Sequence, residues 1–379
     1  MKIGFLIYGS LDTLSGGYLY DRKLVEYLRA QGDTVEIISL PWRNYVVHLT
    51  DNFTFRLPSD LDILIQDELN HPSLIAANQR LHPYPIVSLV HHLRCSELRP
   101  KWQNDFYRVV ERKYLQSVDG FIFNSKTTKG VVNGLLDGVI LSEAKDLKEN
   151  PKETLRSLRS LRVTHSEKPS VVAYPPTDRF DEAISEEEIR QRATSNELRI
   201  LFLGNVIERK GLHTLLESIR LSTFNVRLDV IGSLTADSVY AKQMQDFVTV
   251  NGLSSIVEFH GALDNEQLLE KLRQAHVLIV PSSYEGFGIV YLEGMCFGLP
   301  AIGTTAGAAG EIIEHGKTGY LIQPNDSATL ADRISELTSD RSLLTELSLN
   351  ARRRYTQQPA WNETAGQIRT FLQSLTQQQ

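Results

Sequence analysis

Short apolar runs alternate with amphipathic stretches along this chain, and the alternation begins a second time near its middle. The apolar runs have the length of buried strands, and the stretches between them carry apolar residues at helical spacing. Strand–helix–strand repeats of this kind form parallel sheets that helices cover on both faces. The sequence therefore predicts an α/β fold with two doubly wound parallel sheets.

The two halves contain similar sets of predicted elements. The first half has predicted strands at Ile3–Ile7, Thr34–Leu40, Asp62–Ile65, Ile86–Val90 and Gly120–Phe123, and predicted helices at Gly16–Arg29, Arg99–Gln116 and Lys126–Leu136. The second half has predicted strands at Arg199–Leu203, Val226–Ile231, Val257–His260, Val277–Pro281 and Pro300–Gly303, and predicted helices at Leu212–Leu221, Val239–Val250, Asn265–Ala275 and Ile289–Phe297.

The length of the chain, 379 residues, exceeds the roughly 250–300 residues at which one hydrophobic core stops growing. A proline break and an acidic, polar stretch separate the two halves, so we place the domains at residues 1–185 and 186–359. Residues 360–379 hold a helix and a tail, and we expect this helix to cross back to the first domain. We expect the two domains to face each other across a cleft, with ligands at the carboxyl ends of the strands.

One segment, residues 139–167, is too long for an ordinary connection of 2–6 residues and is predicted to be an insertion. It is rich in lysine, glutamate, serine and arginine, which offer little apolar surface to bury. Two interpretations stay open: a solvated loop or helix, and a basic arm that contacts an acidic acceptor or a membrane surface.

The overall composition excludes several classes of protein. The net charge of -6 argues against a nucleic-acid-binding protein, and two cysteines, Cys95 and Cys296, are too few for a disulfide framework. No apolar run approaches the ~18 residues of a membrane span. The first residues read directly as a strand and not as a signal peptide. We therefore expect a cytoplasmic protein, with peripheral contact at the inner membrane face left open.

The strongest motif runs from Pro281 to Gly294, where a predicted strand ends in a glycine-rich turn and a helix begins near Gly288. The backbone N–H groups of Gly288, Ile289 and Val290 would form an anion site at the start of that helix. Glu285 in the turn and Glu293 on the helix would flank this site, and their carboxylates can accept hydroxyl hydrogen bonds. Solvated surface charges or a glycosidase acid/base pair are the alternatives.

A second motif, from Leu201 to Leu212, passes from a strand through a loop to a helix and carries Arg209 and Lys210. Cations at the carboxyl end of a strand can neutralise a pyrophosphate, and they stabilise a departing diphosphate more as its charge develops. A solvated basic pair is the alternative interpretation.

These motifs resemble those of the retaining glycosyltransferases of family 4, which have the GT-B fold of two facing Rossmann-like domains. The resemblance covers nearly the whole chain apart from the insertion and is most specific from Ile200 to Asp326. It implies that Glu285 contacts the donor sugar, that Glu293 contacts the ribose hydroxyls and that Lys210 binds the pyrophosphate. The family's usual arginine falls at Asn205, so Arg209 is expected to substitute for it.

The first domain carries weaker signals. Gly16 and Gly17 open a helix after the first strand, where they either form a tight turn or let the backbone approach a donor phosphate or an acceptor. His91 and His92 end a strand, and the resemblance implies that a histidine there lies near the sugar, with His91 in the better register. Arg94 and Glu97 are candidates to orient the acceptor.

No residues have metal-ligand spacing, and no Asp-x-Asp follows the carboxyl end of a predicted strand. We therefore expect no metal and no cofactor. The resemblance implies transfer of a hexosyl unit from a UDP- or GDP-sugar to a hydroxyl acceptor, with retention at the anomeric carbon. The acceptor can be a glycan, a lipid-linked glycan, a glycolipid or a metabolite. An epimerase, a phosphorylase-like enzyme and a non-catalytic nucleotide-sugar-binding protein are the alternatives.

Overall fold

A computed structural model describes residues 1–13, 15–137, 168–176, 179–180, 184–221 and 225–377. The chain divides into two compact units: unit 1 contains Met1–Tyr174 and Trp361–Gln379, and unit 2 contains Pro175–Ala360. The sequence analysis placed the corresponding divisions at 185–186 and 359–360. The expected insertion at residues 139–167 lies outside the described residues.

Unit 1 is built on a six-stranded parallel sheet. Its strands are β1 (Lys2–Tyr8), β2 (Thr34–Leu40), β3 (Ile63–Asp67), β4 (Ile86–Val90), β5 (Gly120–Phe123) and β6 (Ser170–Val172), in the spatial order β2-β1-β3-β4-β5-β6. Its helices are α1 (Gly16–Ala30), α2 (Tyr45–His48), α3 (Asp51–Thr54), α4 (His71–Asn78), α5 (Lys101–Gln116) and α6 (Lys126–Leu136).

Unit 2 is also built on a six-stranded parallel sheet, but the order of its strands is different. Its strands are β7 (Leu198–Leu203), β8 (Val226–Ile231), β9 (Val257–Gly261), β10 (Val277–Ile279), β11 (Ala301–Thr304) and β12 (Gly319–Ile322), in the order β12-β11-β10-β7-β8-β9. Its helices are α7 (Glu186–Arg192), α8 (Leu212–Arg220), α9 (Ser238–Val250), α10 (Asn265–Gln274), α11 (Ile289–Cys296), α12 (Ser327–Ser339) and α13 (Arg341–Thr356). The last helix of the chain, α14 (Trp361–Thr376), belongs to unit 1.

The core of unit 1 lies on both faces of its sheet because alternate side chains of a strand point in opposite directions. In β1, Ile3, Phe5 and Ile7 pack into one apolar cluster, and Leu6 and Tyr8 pack into another. A strand covered on both faces is apolar throughout, which is why these strands were recognisable in the sequence.

Helix α14 packs against unit 1 through one apolar face. Ala365, Ile368, Leu372 and Leu375 are spaced at three and four residues, and all four lie in the cluster that contains the first face of β1. Arg369 Nε also lies 2.7 Å from Asp33 Oδ2. The expected return of the C-terminal helix to the first domain is therefore confirmed.

The structure offers no helix within the described residues that is both long and apolar enough to cross a lipid bilayer. Cys95 and Cys296 are both buried, and neither forms a disulfide bond within the part of the chain that the structure describes.

Replacement of Leu372 by alanine should destabilise the protein by about 2–5 kcal/mol, because this side chain is fully buried and its loss leaves a cavity. Urea unfolding would measure the change. The matched control is Gln367→Ala, an exposed position on the same helix, which should change stability by less than about 0.5 kcal/mol. Equal effects of the two changes would mean that α14 does not stabilise the core.

Candidate functional site

Glu285 is the centre of a buried ionic cluster in unit 2. It lies in the turn between β10 and α11 and is 6% exposed. Its Oε1 forms an ion pair with Lys210 Nζ, accepts a hydrogen bond from Ser282 Oγ at 2.8 Å and lies 3.6 Å from Arg209 Nη1. The two predicted basic residues and the first predicted glutamate are thus brought together at one carboxylate.

The charges in this cluster fix its ionisation. Burial alone opposes ionisation of Glu285, but Lys210 and Arg209, with hydrogen bonds from Lys210 and Ser282, lower the pKa of Glu285 to about 2. Burial lowers the pKa of Lys210, while the charge of Glu285 acts in the opposite direction. With both cations and the carboxylate charged, the cluster has an excess of one positive charge, which favours the approach of an anion.

The loop that carries Arg209 and Lys210 is held directly against the turn that carries Glu285. Ser283 N–H donates to Arg209 O at 2.8 Å, and Arg209 Nη1 donates to Tyr284 O at 2.8 Å. Gly211, which follows the two basic residues, has φ 73°, and a Cβ at this position would lie 2.1 Å from Pro281 O. Only glycine permits this contact, so the local sequence allows the loop and the turn to meet.

A third loop supports the backbone of Glu285. Ala308 N–H donates to Glu285 O at 2.8 Å, and Glu285 N–H donates to Ala306 O at 3.3 Å. A Cβ on Gly307, which has φ 84°, would lie 2.0 Å from Glu285 O. The small residues of this loop therefore allow close approach to the backbone of the predicted site residue.

Glu293 lies on α11, as predicted, and is 6% exposed. Its Oε1 accepts a hydrogen bond from Arg179 Nη1 at 2.5 Å, and Arg179 Nη2 donates to Asn265 Oδ1 at 3.2 Å. Its Oε2 is buried and has no hydrogen-bond partner within the described ranges. A buried carboxylate oxygen without a partner is costly, and a ligand hydroxyl would satisfy it.

The helix that carries Glu293 begins as the anion-site hypothesis requires. Gly288 is its N-cap, with φ 94°, and the helix runs from Ile289 to Cys296. The first N–H groups, including those of Ile289 and Val290, have no acceptor within the helix and lie at the positive end of its dipole.

Asn205, where the family's arginine was expected, does not form an ion pair with Glu285 and instead forms a hydrogen bond with the loop after β8. Its Oδ1 accepts from Ser233 N–H at 3.4 Å, and Val206 N–H donates to Ser233 O at 3.0 Å. This side chain connects the loops that follow β7 and β8, and Arg209 is the arginine that approaches Glu285.

His91 is the centre of the candidate residues in unit 1. Its Nε2 lies 3.0 Å from Asp21 Oδ1, and its backbone N–H donates to Glu68 Oε2 at 2.9 Å. A Cβ on Gly17 would lie 3.3 Å from His91 Cδ2, so the glycine at the start of α1 gives the imidazole its space. Gly16 is the first residue of the same helix, and Ser15 caps it by accepting from Tyr18 N–H.

Sequence reasoning missed Asp21 and Asp67, two buried carboxyl groups beside His91. Burial raises the pKa of Asp21 to about 8 and, together with the charge of Asp21, that of Asp67 to about 7. Burial also lowers the pKa of His91. A signal was present, because Asp21 falls on the apolar face of α1 between Tyr18 and Leu24.

Asp21, Asp67 and His91 each place one ligand atom within 4.8 Å of the others, so this group could hold a cation. Alternatively, a proton shared between the two carboxyl groups would remove one of their two negative charges. In unit 2, Asp229 and His260 belong to a similar group, but Lys271 Nζ already lies 2.8 Å from Asp229 Oδ1.

His92 makes a separate contact. Its Nε2 lies 3.0 Å from Glu97 Oε1, and Arg99 Nη2 lies 2.5 Å from Glu97 Oε2. The two adjacent histidines thus have different carboxylate partners, and His92 is the more exposed of the two.

The raised pKa of Asp21 predicts how stability depends on pH. A carboxyl group whose pKa is about 8 when folded and about 4 when unfolded stabilises the fold below about pH 4, and this contribution is lost as pH rises towards 8. Asp21→Asn should therefore have a higher Tm than wild type, by several degrees at about pH 8, and the difference should shrink towards about pH 5. Thermal unfolding across this range measures it.

Glu26→Gln is the matched control, because Glu26 is an exposed carboxylate on the same helix. Its Tm should follow that of wild type at every pH. A difference between Asp21→Asn and wild type that is the same at both ends of the range would contradict the raised pKa.

Comparison with known proteins supports the fold and the C-terminal motif. Residues 184–354 match the family model "Glycosyl transferases group 1". The uncharacterized glycosyltransferase MJ1178 of Methanocaldococcus jannaschii is 32% identical over 176 residues, which are 46% of this chain and 48% of that protein. The chain spans about half the length of the curated relatives that it matches.

Two solved structures resemble the chain over nearly its full length. Sucrose-phosphate synthase from Thermosynechococcus elongatus aligns with a TM-score of 0.77 at 18% identity over 100% of both chains. Anabaena HepE in complex with UDP and glucose aligns with a TM-score of 0.70 at 20% identity, over 99% of this chain and 100% of that one. The predicted GT-B fold is confirmed.

Proposed function

We propose that this chain, whose residues 184–354 match the family model "Glycosyl transferases group 1", is a glycosyltransferase that uses a nucleotide-sugar donor. It transfers a hexosyl unit from a UDP- or GDP-sugar to a hydroxyl acceptor, with retention at the anomeric carbon, as in family 4. Unit 2 binds the donor, and unit 1 provides the acceptor side. The complex of HepE with UDP and glucose is consistent with a uridine donor.

One observation carries this proposal: Lys210 and Arg209 converge on the ionised carboxylate of Glu285 at the carboxyl ends of β7 and β10. In a doubly wound sheet, ligands bind at this edge. Glu293 lies on the helix that follows, and its buried Oε2 has no hydrogen-bond donor among the described residues. Cations for a diphosphate and carboxylates for hydroxyl groups are the requirements of a nucleotide-sugar site.

The residues then have distinct roles in the reaction. Lys210 and Arg209 bind the diphosphate, which competes with Glu285 for these two cations. They stabilise the diphosphate increasingly as its bond to the sugar breaks and its negative charge grows. Glu285 accepts hydrogen bonds from hydroxyl groups of the donor sugar, and Glu293 accepts them from the ribose. The N–H groups at the start of α11 also stabilise the negative charge of the diphosphate.

Retention requires that the acceptor attack from the face that the diphosphate leaves. We propose that an oxygen of the departing phosphate takes the proton of the acceptor hydroxyl. The bond between the acceptor oxygen and the anomeric carbon forms as the bond between that carbon and the phosphate oxygen breaks. His91, held by Asp21, belongs to the acceptor side in this proposal. The cations Lys210 and Arg209 take the role of a metal ion, so no metal and no cofactor is needed.

The first experiment is a screen of UDP-, GDP-, ADP- and TDP-sugars by thermal shift and by release of the diphosphate, with and without EDTA. We expect stabilisation by one nucleotide series and slow hydrolysis that EDTA does not change. If no nucleotide sugar stabilises the protein, the proposal must be withdrawn. Loss of turnover with EDTA, restored by a divalent metal, would instead show that a cation is required.

Variants of the cluster test the individual roles. Lys210→Ala and Glu285→Ala should lower kcat by about 10²–10³, the usual effect of losing one group that stabilises the transition state. Glu293→Ala should mainly weaken donor binding. The control is Glu208→Ala, an exposed carboxylate in the same loop, which should keep wild-type kinetics. Wild-type rates in the three site variants would refute the assignment.

The same measurements separate the alternative functions. An epimerase would convert the nucleotide sugar without an acceptor, and a phosphorylase-like enzyme would require inorganic phosphate. A non-catalytic binding protein would bind a nucleotide sugar and never release the diphosphate.

We also propose peripheral contact with an anionic lipid surface, and helix α5 supports it. Val110, Tyr114 and Leu115 pack this helix into unit 1. Trp102 and Phe106 lie on the opposite face and, with Val109 one turn further along, are 71%, 43% and 56% exposed, respectively. A helix with a second apolar face is typical of an interface.

Basic side chains near this face favour a lipid surface. Lys101 and Lys113 are exposed on α5, and the described residues include no acidic ion-pair partner for either. In a twofold contact between two copies, like charges would meet across the interface, whereas anionic headgroups attract them. The residues of this surface differ from residues 139–167, in which the sequence suggested a basic arm.

Replacing both Trp102 and Phe106 by serine should weaken co-sedimentation with phosphatidylglycerol vesicles by at least about tenfold, because the apolar area inserted is lost. Val239→Ser is the control, since Val239 is 69% exposed in unit 2. Unchanged sedimentation of the double variant would contradict the proposal. Conversion of a wild-type dimer into a monomer by the double variant would assign the face to a second copy instead.

A further inference from the structure

Arg94 lies in unit 1, and its guanidinium has no ion pair with any residue that the structure describes. It begins a short 3-10 helix, Arg94–Ser96, just after β4. The backbone N–H groups of Arg94 and Cys95 donate to the buried carboxyl group of Glu111 at 2.6 and 3.2 Å. Among the described residues, no carboxylate lies within 4.0 Å of the Arg94 guanidinium, although two neighbouring arginines are paired.

Aromatic rings orient this guanidinium. Its Cζ lies 5.4 Å from the ring centroid of Tyr45 and 5.9 Å from that of Tyr107. The two rings are 4.8 Å apart in an edge-to-face arrangement, and Tyr45 Oη also forms a hydrogen bond with His71 Nε2 at 2.8 Å. Cation–π contacts fix the position of a guanidinium and leave its N–H groups free to bind an anion.

Arg94 lines a pocket with Tyr8, Trp42 and Arg43. Tyr8 ends β1, Trp42 and Arg43 follow β2, and Arg94 follows β4, so the pocket lies at the carboxyl edge of the sheet. Arg43 is paired with Asp51 at 3.0 Å, whereas Arg94, which also lines the pocket, has no ion pair among the described residues. Trp42 is 60% exposed and contacts Tyr8 edge-on at 5.6 Å between ring centroids.

We infer that this pocket binds a phosphate group on the acceptor. A guanidinium offers two parallel N–H donors that match a phosphate, and the exposed indole of Trp42 offers a flat apolar face to the sugar or alcohol beside it. The inference rests on the proposed function and narrows its acceptor to a phosphorylated hydroxyl compound. The phosphate can belong to a soluble sugar phosphate or to a lipid headgroup.

The position of the pocket is compatible with both sources. The ring of Phe106, on the exposed face of α5, lies 6.0 Å from the ring of Tyr45. The pocket and the apolar face are therefore neighbours within unit 1. A headgroup phosphate could reach Arg94 from a surface bound at α5, and a soluble sugar phosphate could reach it from solvent.

The test compares ligands that differ by one phosphate. In the first arm, calorimetry measures binding of glucose 6-phosphate and of glucose. In the second, co-sedimentation compares phosphatidylcholine vesicles with and without phosphatidylinositol 4-phosphate. We expect a preference for the phosphorylated ligand of at least about tenfold in one arm, as for one charge-assisted hydrogen bond. Arg94→Gln should abolish this preference.

Arg99→Gln is the matched control. Arg99 also lies over Tyr107, with Cζ 5.7 Å from the ring centroid, but it is paired with Glu97. Its loss should leave the phosphate preference unchanged. Arg94→Lys keeps the charge without the paired donors and should retain part of the preference, which keeps the test readable if Arg94→Gln lowers stability.

The two arms also assign the source. If the preference for the phosphorylated ligand depends on Arg94 in calorimetry alone, the phosphate belongs to a soluble compound. If this preference is seen with vesicles alone, the phosphate belongs to a lipid headgroup. If neither arm shows a preference that depends on Arg94, the inference is wrong. Nucleotide-sugar hydrolysis by wild type is measured in parallel: its absence counts against the proposed function, whereas the phosphate preference is read independently of it.

Discussion

The ion pair between Lys210 and Glu285 organises the candidate donor site. Neither charge would be stable alone at this degree of burial, so each requires the other. The pair also requires that two loops meet, and Gly211 allows this because a larger residue would collide with Pro281 O. An incoming diphosphate can therefore enter a site whose cations are already in place, and it competes with Glu285 for them.

Buried carboxyl groups behave in opposite ways in the two units. In unit 2, Lys210 and Arg209 hold the pKa of Glu285 at about 2, so this side chain is an anion at neutral pH and an acceptor of hydrogen bonds. In unit 1, Asp21 lies beside Asp67, and burial raises its pKa to about 8. The carboxyl group of Glu285 is thus ionised, whereas that of Asp21 retains its proton to a higher pH. The difference arises because, among the described residues, cations lie beside Glu285 and not beside Asp21.

Much of the fold was predictable because parallel strands and their covering helices leave clear patterns. The strands β1, β2 and β4 were predicted within one residue at each end. The strand β12, Gly319–Ile322, was not predicted, because it is short and a glycine turn precedes it. The sequence indicated Glu285, Glu293, Lys210 and Arg209, since each falls in a connection that follows a strand or on the helix after it. It did not indicate Arg179, whose contact with Glu293 joins residues that are distant in the chain.

By itself, the sequence determined the alternation of strands and helices, the glycines that let loops approach one another and the residue types at the strand ends. These are local properties, and apolar periodicity and turn chemistry record them directly. Only the tertiary structure decided which charges share a partner: Lys210 with Glu285, Arg179 with Glu293, and Arg94 with aromatic rings and no carboxylate among the described residues. Coulombic energy and desolvation depend on distances in space, and spacing along the chain does not specify them.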